Sequence, residues 1–207
     1  MTQDTFNAAE QFLLKQWPEA RRLELAMEST RLKYQGVWER IQERVAQEQP
    51  ELDWSRLSVT QFWSKGSAGF GRKTWPGVDK NWAAGIWFDN VRLEVLSDPD
   101  EPPADAYLWV KPLEKAGVDA ERVIAGAAAA LLTLSPEQQA SEGLRAASGD
   151  SAMSCAMPTK EELLSLLLQR DSQPFVDAIA ARVATLARFT ALIDEAVGAA
   201  SGQRRKT

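Results

Sequence analysis

The chain has 207 residues, 44% hydrophobic and 26% charged, with a formal net charge of −5, which fits a soluble globular protein and argues against a general nucleic-acid coat. It has no histidine and one cysteine, Cys155; this removes Ser-His and Cys-His pairs, imidazole-dependent zinc sites and any internal disulfide, and a reducing cytoplasm is the expected compartment. "MTQDTFNAAE" shows no targeting pattern, and the longest apolar run, Val123 to Leu134, is too short to span a bilayer, so no membrane association is expected.

Residues 1–50 read as helix. Phe6, Leu13 and Trp17 share a face of a first short helix, and Pro18 suits the first turn of the next. Along that second helix Leu23, Met27, Thr30, Tyr34, Val37, Ile41 and Val45 step by three and four, a stripe expected to be buried on a core or a partner helix.

Residues 51–116 hold six of the eight tryptophans, and period-two alternation replaces the helical pattern. "SVTQFW" reads as a strand and "AYLWVK" as another. "GIWFDNVRLEV" reads as a hairpin turning at Asp89-Asn90, with Phe88 facing Val91, Ile86 facing Leu93, and the Arg92 guanidinium over the Trp87 indole.

From 117 to 200 the pattern is helical again. Ser135-Pro136-Glu137-Gln138 and Thr159-Lys160-Glu161-Glu162 match the capping-box signature. "SGDSAMSCAMP" reads as a flexible connection. Val176, Ile179, Val183, Leu186, Thr190, Ile193 and Val197 form the seam of one last helix, hairpinned against "LLSLLLQ", with Gly198 ending it and residues 201–207 a basic tail. The expected fold is α+β and helix-dominant: long N-terminal helices, a three- to four-stranded antiparallel sheet and a C-terminal helical hairpin, in one compact domain.

"WSKGSAGFGRKTW", residues 63–75, spaces Gly66 and Gly71 as a phosphate-binding loop does, but Pro76 and Gly77 block the helix that would hold the phosphates. What remains is a basic loop, residues 65–82, with Lys65, Arg72, Lys73 and Lys80 among Phe70, Trp75 and Trp82; charge and stacking surface together suit single-stranded nucleic acid. A second group, Glu94, Asp98, Asp100, Glu101 and Asp105, reads as a solvated acidic loop stiffened by prolines; such carboxylates also suit Mg²⁺ or Ca²⁺, and a metal enzyme would use Asp89, Glu94 or Asp98 with a divalent ion.

Asp89 followed by Trp109-Val110-Lys111 resembles a degenerate metal-dependent nuclease of the PD-(D/E)xK type, with tryptophan where the metal-binding carboxylate belongs. The resemblance implies a form that does not cleave. Cys155 lies among Met153 and Met157 with no neighbour to activate it, and reads as a packing residue.

With no catalytic constellation, no cofactor and no metal site expected, the sequence points to a non-catalytic protein-interaction module. An inhibitor, immunity or accessory factor of a bacterial defence or mobile-element system fits that description. Its expected contact residues are Phe70, Trp75, Trp82, Trp87 and Arg92, types enriched at interface centres. The alternatives are nucleic-acid contact through residues 65–82, and the degenerate nuclease.

Overall fold

The computed structural model of the chain describes residues 7–52, 68–72, 75, 77–78, 81–82, 84–110, 120–146 and 151–204. Two compact units are present, residues 1–37 and 38–207. Helix α1, Ala8–Lys15, opens with a capping box: Asn7 Oδ1 accepts from Glu10 N at 3.0 Å, and Asn7 N donates to Glu10 at 2.6 Å. Helix α2, Trp17–Glu48, carries Pro18 in its first turn as expected.

The stripe along α2 meets two fates. Leu23 and Met27 are 64% and 49% exposed, and Leu13 and Trp17 are exposed as well, whereas Ile41 and Val45 are buried. A three-four repeat defines a face but does not guarantee a cover over its whole length.

In the second unit, strands β1 (Ala68–Phe70), β4 (Ala84–Asp89), β5 (Asp105–Val110), β6 (Leu144–Ala146) and β7 (Ser151–Cys155) form an antiparallel sheet in the order β1-β4-β5-β7-β6. Strands β2 (Gly77–Val78) and β3 (Asn81–Trp82) pair separately. The α+β, helix-dominant architecture stands as read from sequence, but the sheet has five strands rather than three or four, and three further details are corrected.

First, there is no hairpin at Asp89-Asn90. Asn90 does take the positive φ of 58° that suits its side chain, but the chain then enters a short helix α3, Leu93–Leu96, and β4 pairs with β1 and β5 instead. Second, the segment read as a flexible connection supplies β7. Its Ala, Ser and Met content is a weak strand signal, and β5 and β6 on either side supply the pairing that local propensity does not. Third, the last helix is two: α7, Gln173–Ala187, and α8, Thr190–Arg204, broken at Arg188-Phe189 with Thr190 Oγ1 donating to the Ala187 carbonyl at 2.8 Å, and α8 runs on past Gly198, where the helix was expected to end. The stripe survives the break, because Thr190 and Ile193 are buried like Val176, Ile179, Val183 and Leu186 before it. The "SVTQFW" segment lies outside the described residues.

The remaining helices are α4 (Ala120–Leu132), α5 (Pro136–Glu142) and α6 (Lys160–Leu167), and both expected capping boxes are present, Ser135 with Gln138 and Thr159 with Glu162. Gly143 ends α5 at φ 65°, where a Cβ would meet that of Ala156 at 2.6 Å, so glycine is required twice over. Helix α4 packs on β6, β7 and α8, α6 packs on α7, and α7 packs on the three central strands. One sheet face is sealed: Ile86, Phe88, Ala106, Leu108, Val110, Met153 and Cys155 are all fully buried, as are Phe175, Ile179 and Val183 of α7. No helix among the described residues is long and apolar enough to cross a membrane.

Candidate functional site

Strand alternation sends every second residue to the opposite face, and there the sheet is not sealed. Trp87 and Asp89 on β4, Tyr107 and Trp109 on β5, and Ser154 on β7 are half-buried, while Arg145 on β6 and Asp105 on β5 are exposed. The register sets Gly69, Trp87, Tyr107, Ser154 and Arg145 in one row across five strands, with Asp89 directly opposite Asp105 in the next.

Trp87 stacks on Trp109 with ring centroids 5.6 Å apart and planes 28° from parallel. Its indole lies across Gly69, where an added Cβ would sit 1.9 Å from Trp87 Cε3, so the absence of a side chain there lets the ring lie flat. Trp87 is therefore held by Gly69 and Trp109, not by the expected Arg92, which instead stands half-buried at the N-terminal cap of α3.

At one end the surface dips into a cleft of about 440 Å³, lined by Asn90, Pro102, Pro103, Asp105, Arg145 and Ser154 among others. Tyr107 Oη donates to Asp89 Oδ2, and Asp105 Oδ1 accepts from Ala106 N at 2.9 Å. The Asp105 carboxyl titrates above its ordinary value. Partial desolvation over the cleft is the largest cause and Asp89 adds repulsion, while the Ala106 N–H and the Arg145 guanidinium pull the other way.

A carboxyl whose folded pKa lies above the unfolded one supports the fold at low pH. It withdraws that support as pH rises from the ordinary carboxylate range through the raised value. Asp105→Asn keeps the acceptor for Ala106 and removes the charge. It is expected to raise the thermal midpoint at pH 7 by a small amount, since solvent screens an exposed residue. The gain is expected to vanish in buffers below the ordinary carboxylate range; a midpoint that falls at pH 7 refutes this.

The residues expected at the contact surface separate. Phe70 and Trp75 are 2% and 3% exposed and belong to the core, which corrects their assignment as presented side chains. Trp75 Nε1 donates to Asp194 Oδ1 at 2.8 Å, and Arg72 pairs with the other oxygen of Asp194, donates to Thr190 Oγ1 at 3.3 Å and lies 5.8 Å from the centre of the Trp75 ring. Arg72 is thus committed to α8 rather than offered to a phosphate, and the expectation for it is corrected. Lys65, Lys73, Lys80 and the Trp82 side chain lie outside the described residues. Of the expected set, Trp87 stands on the open face.

The acidic loop is fastened rather than free. The Lys160 ammonium donates to the carbonyls of Asp98 and Glu101, and the Asp98 carboxylate accepts from Asp100 N at 3.0 Å. Asp89, Glu94 and Asp98 do not converge: among the described residues no group of three or more metal-ligating side chains forms. Cys155 is fully buried, its thiol pushed up chiefly by burial against the opposing pull of Arg182.

Tyr107, Trp109, Ser154 and Arg145 were not singled out as contact residues by the sequence. Alternation in "DAYLWV" places Asp105, Tyr107 and Trp109 on one face; the missing signal is which face the helices cover. No protein-family model matches the chain, and no curated protein or solved structure is detectably similar to it.

Proposed function

We propose that the protein is a non-catalytic binding module that engages another protein through the open face of its sheet. The observation that carries this reading is the Trp87–Trp109 stack beside Tyr107, half-buried on the face opposite the sealed one. Rigid aromatic side chains already ordered in the free protein lose little entropy on binding and dominate interface energetics. The unit of residues 1–37 separately carries exposed apolar residues, among them Phe12, Trp17, Leu23 and Leu32, and exposed apolar surface of this kind favours a binding role. Carboxylates Asp89 and Asp105 on the open face weigh against a polyanionic ligand there, as does the pairing of Arg72 with Asp194.

The test compares wild-type protein with the Trp87→Ala/Trp109→Ala variant, each immobilised in host extract. A protein retained by the wild type is expected to be lost from the variant, by a factor of about 30 or more in affinity for a two-tryptophan hot spot, while circular dichroism stays native. Equal retention by both removes the reading. Salt-sensitive quenching of tryptophan fluorescence by a single-stranded oligonucleotide, absent in the variant, would replace it with nucleic-acid binding.

A further inference from the structure

From residue 7 to residue 33 every residue but the half-buried Ala20 is exposed. Helix α1 passes into α2 with Gln16 alone between them, so this stretch is one nearly continuous rod that the described residues leave uncovered. A helix in a protein draws most of its stability from packing an amphipathic face. That face is present: Leu13, Gln16, Ala20, Leu23, Met27 and Thr30 step by three and four, with Phe12 and Trp17 beside them. The surrounding charges are mixed, Glu10, Glu19, Glu24 and Glu28 against Lys15, Arg21, Arg22, Arg31 and Lys33, which leaves one net positive charge. A near-neutral mixture does not select a polyanion or an anionic bilayer, both of which call for a basic polar face.

We propose that this stripe packs against the same stripe of a second copy of the chain, the two helices running antiparallel. The order of charges along its flanks selects both the occupant and the direction. Steps of seven put Glu10, Trp17, Glu24 and Arg31 on one flank and Phe12, Glu19, Ala26 and Lys33 on the other. A parallel copy in register sets Glu19 against Glu24 of the second copy on both sides of the pair, and the exposed Arg21–Glu24 pair within each helix offsets this only weakly. An antiparallel copy centred between Arg21 and Arg22 faces Ala20 with Leu23, Gln16 with Met27 and Leu13 with Thr30. On the flanks it brings Glu10 to Arg31, Phe12 to Lys33 and Glu19 to Ala26, each contact made twice and no like charges opposed. Phe12, Leu13, Trp17, Leu23 and Met27 are all exposed in the single chain. With each burying on the order of 100 Å², the two copies together bury about 1,000 Å², the area at which specific association begins.

Sedimentation equilibrium of the full chain across the micromolar range is expected to show the mass rising from one chain to two. The Leu23→Glu/Met27→Glu variant changes side chains that are exposed in the single chain, so it is expected to keep native circular dichroism and stay at the mass of one chain. Nitroxide labels at Lys33→Cys, with the buried Cys155 unlabelled, are expected at least about 35 Å apart, the axial offset of an antiparallel pair so centred. A separation near the interhelical distance of about 10 Å overturns the antiparallel arrangement. A wild-type chain that keeps the mass of one chain throughout, or a variant that dimerises equally well, overturns the proposal. Flotation of such a monomeric wild type with phosphatidylglycerol vesicles, lost in the variant, gives the stripe to a membrane surface instead. Dimerisation abolished by Trp87→Ala/Trp109→Ala but not by Leu23→Glu/Met27→Glu places self-association on the sheet and likewise overturns the stripe as the contact. The stripe belongs to the unit of residues 1–37, so its failure leaves the reading of the sheet surface standing.

Discussion

Phe88→Ala is expected to cost about 3–5 kcal/mol of stability, the range for emptying a large aromatic site in a packed core. Phe88 is fully buried on the sealed face, meeting Phe70 edge-on at 5.8 Å between centroids and Trp38 at 6.3 Å. These contacts join a central strand, an edge strand and α2, so little nearby can relax into the space without moving the sheet itself. Urea unfolding of the purified variant measures the loss as a lowered midpoint at unchanged slope. A loss under about 1 kcal/mol would mean that neighbouring side chains refill the site, and that the sealed face is not close-packed around Phe88.

Asp194→Ala is expected to cost about 1–4 kcal/mol. The larger part is the buried Trp75 indole N–H, stranded without its acceptor, at about 1–3 kcal/mol. The ion pair with Arg72 adds about 1 kcal/mol at most, because Arg72 and Asp194 are 23% and 36% exposed and solvent screens them. Asp194→Asn retains an oxygen for the indole and is expected to lose well under half as much. Urea unfolding measures both variants, and tryptophan emission shifting to longer wavelength in the alanine protein would report that Trp75 has left the core. Equal losses for alanine and asparagine would transfer the weight to the ion pair.

The two variants also bear on function. Asp194 ties Arg72 and Trp75, just after β1, to α8 and is none of the residues of the Trp87–Trp109 surface, so a properly folded Asp194→Asn protein is expected to keep whatever that surface binds.

Local physics was legible in the linear chain. The Ser135 and Thr159 capping boxes, Pro18 in the first turn of α2 and the strand over "AYLWV" all hold, because each depends on residues within a few positions of one another. The change from N-terminal helices to strands followed from where the hydrophobic period changes, but β6 and β7 lie after α4 and α5, inside the stretch read as helical. What the chain could not reveal were choices made between segments far apart. Leu23 and Ile41 lie on one continuous stripe, yet one is exposed and the other buried, since a period names a face but not its cover.

Trp75 and Trp87 are the same residue type in the same aromatic-rich stretch. Asp194, more than a hundred positions away, draws the first into the core, while Gly69 lets the second lie flat on the open side. Strand β7 exists because β5 and β6 offer their hydrogen-bonding edges to a segment with weak strand propensity of its own. Composition and periodicity therefore determined the elements and their aromatic content. The assembled sheet alone determined which aromatics face water and set Asp89 against Asp105, because burial and cross-strand register are properties of segments brought together, not of any one of them.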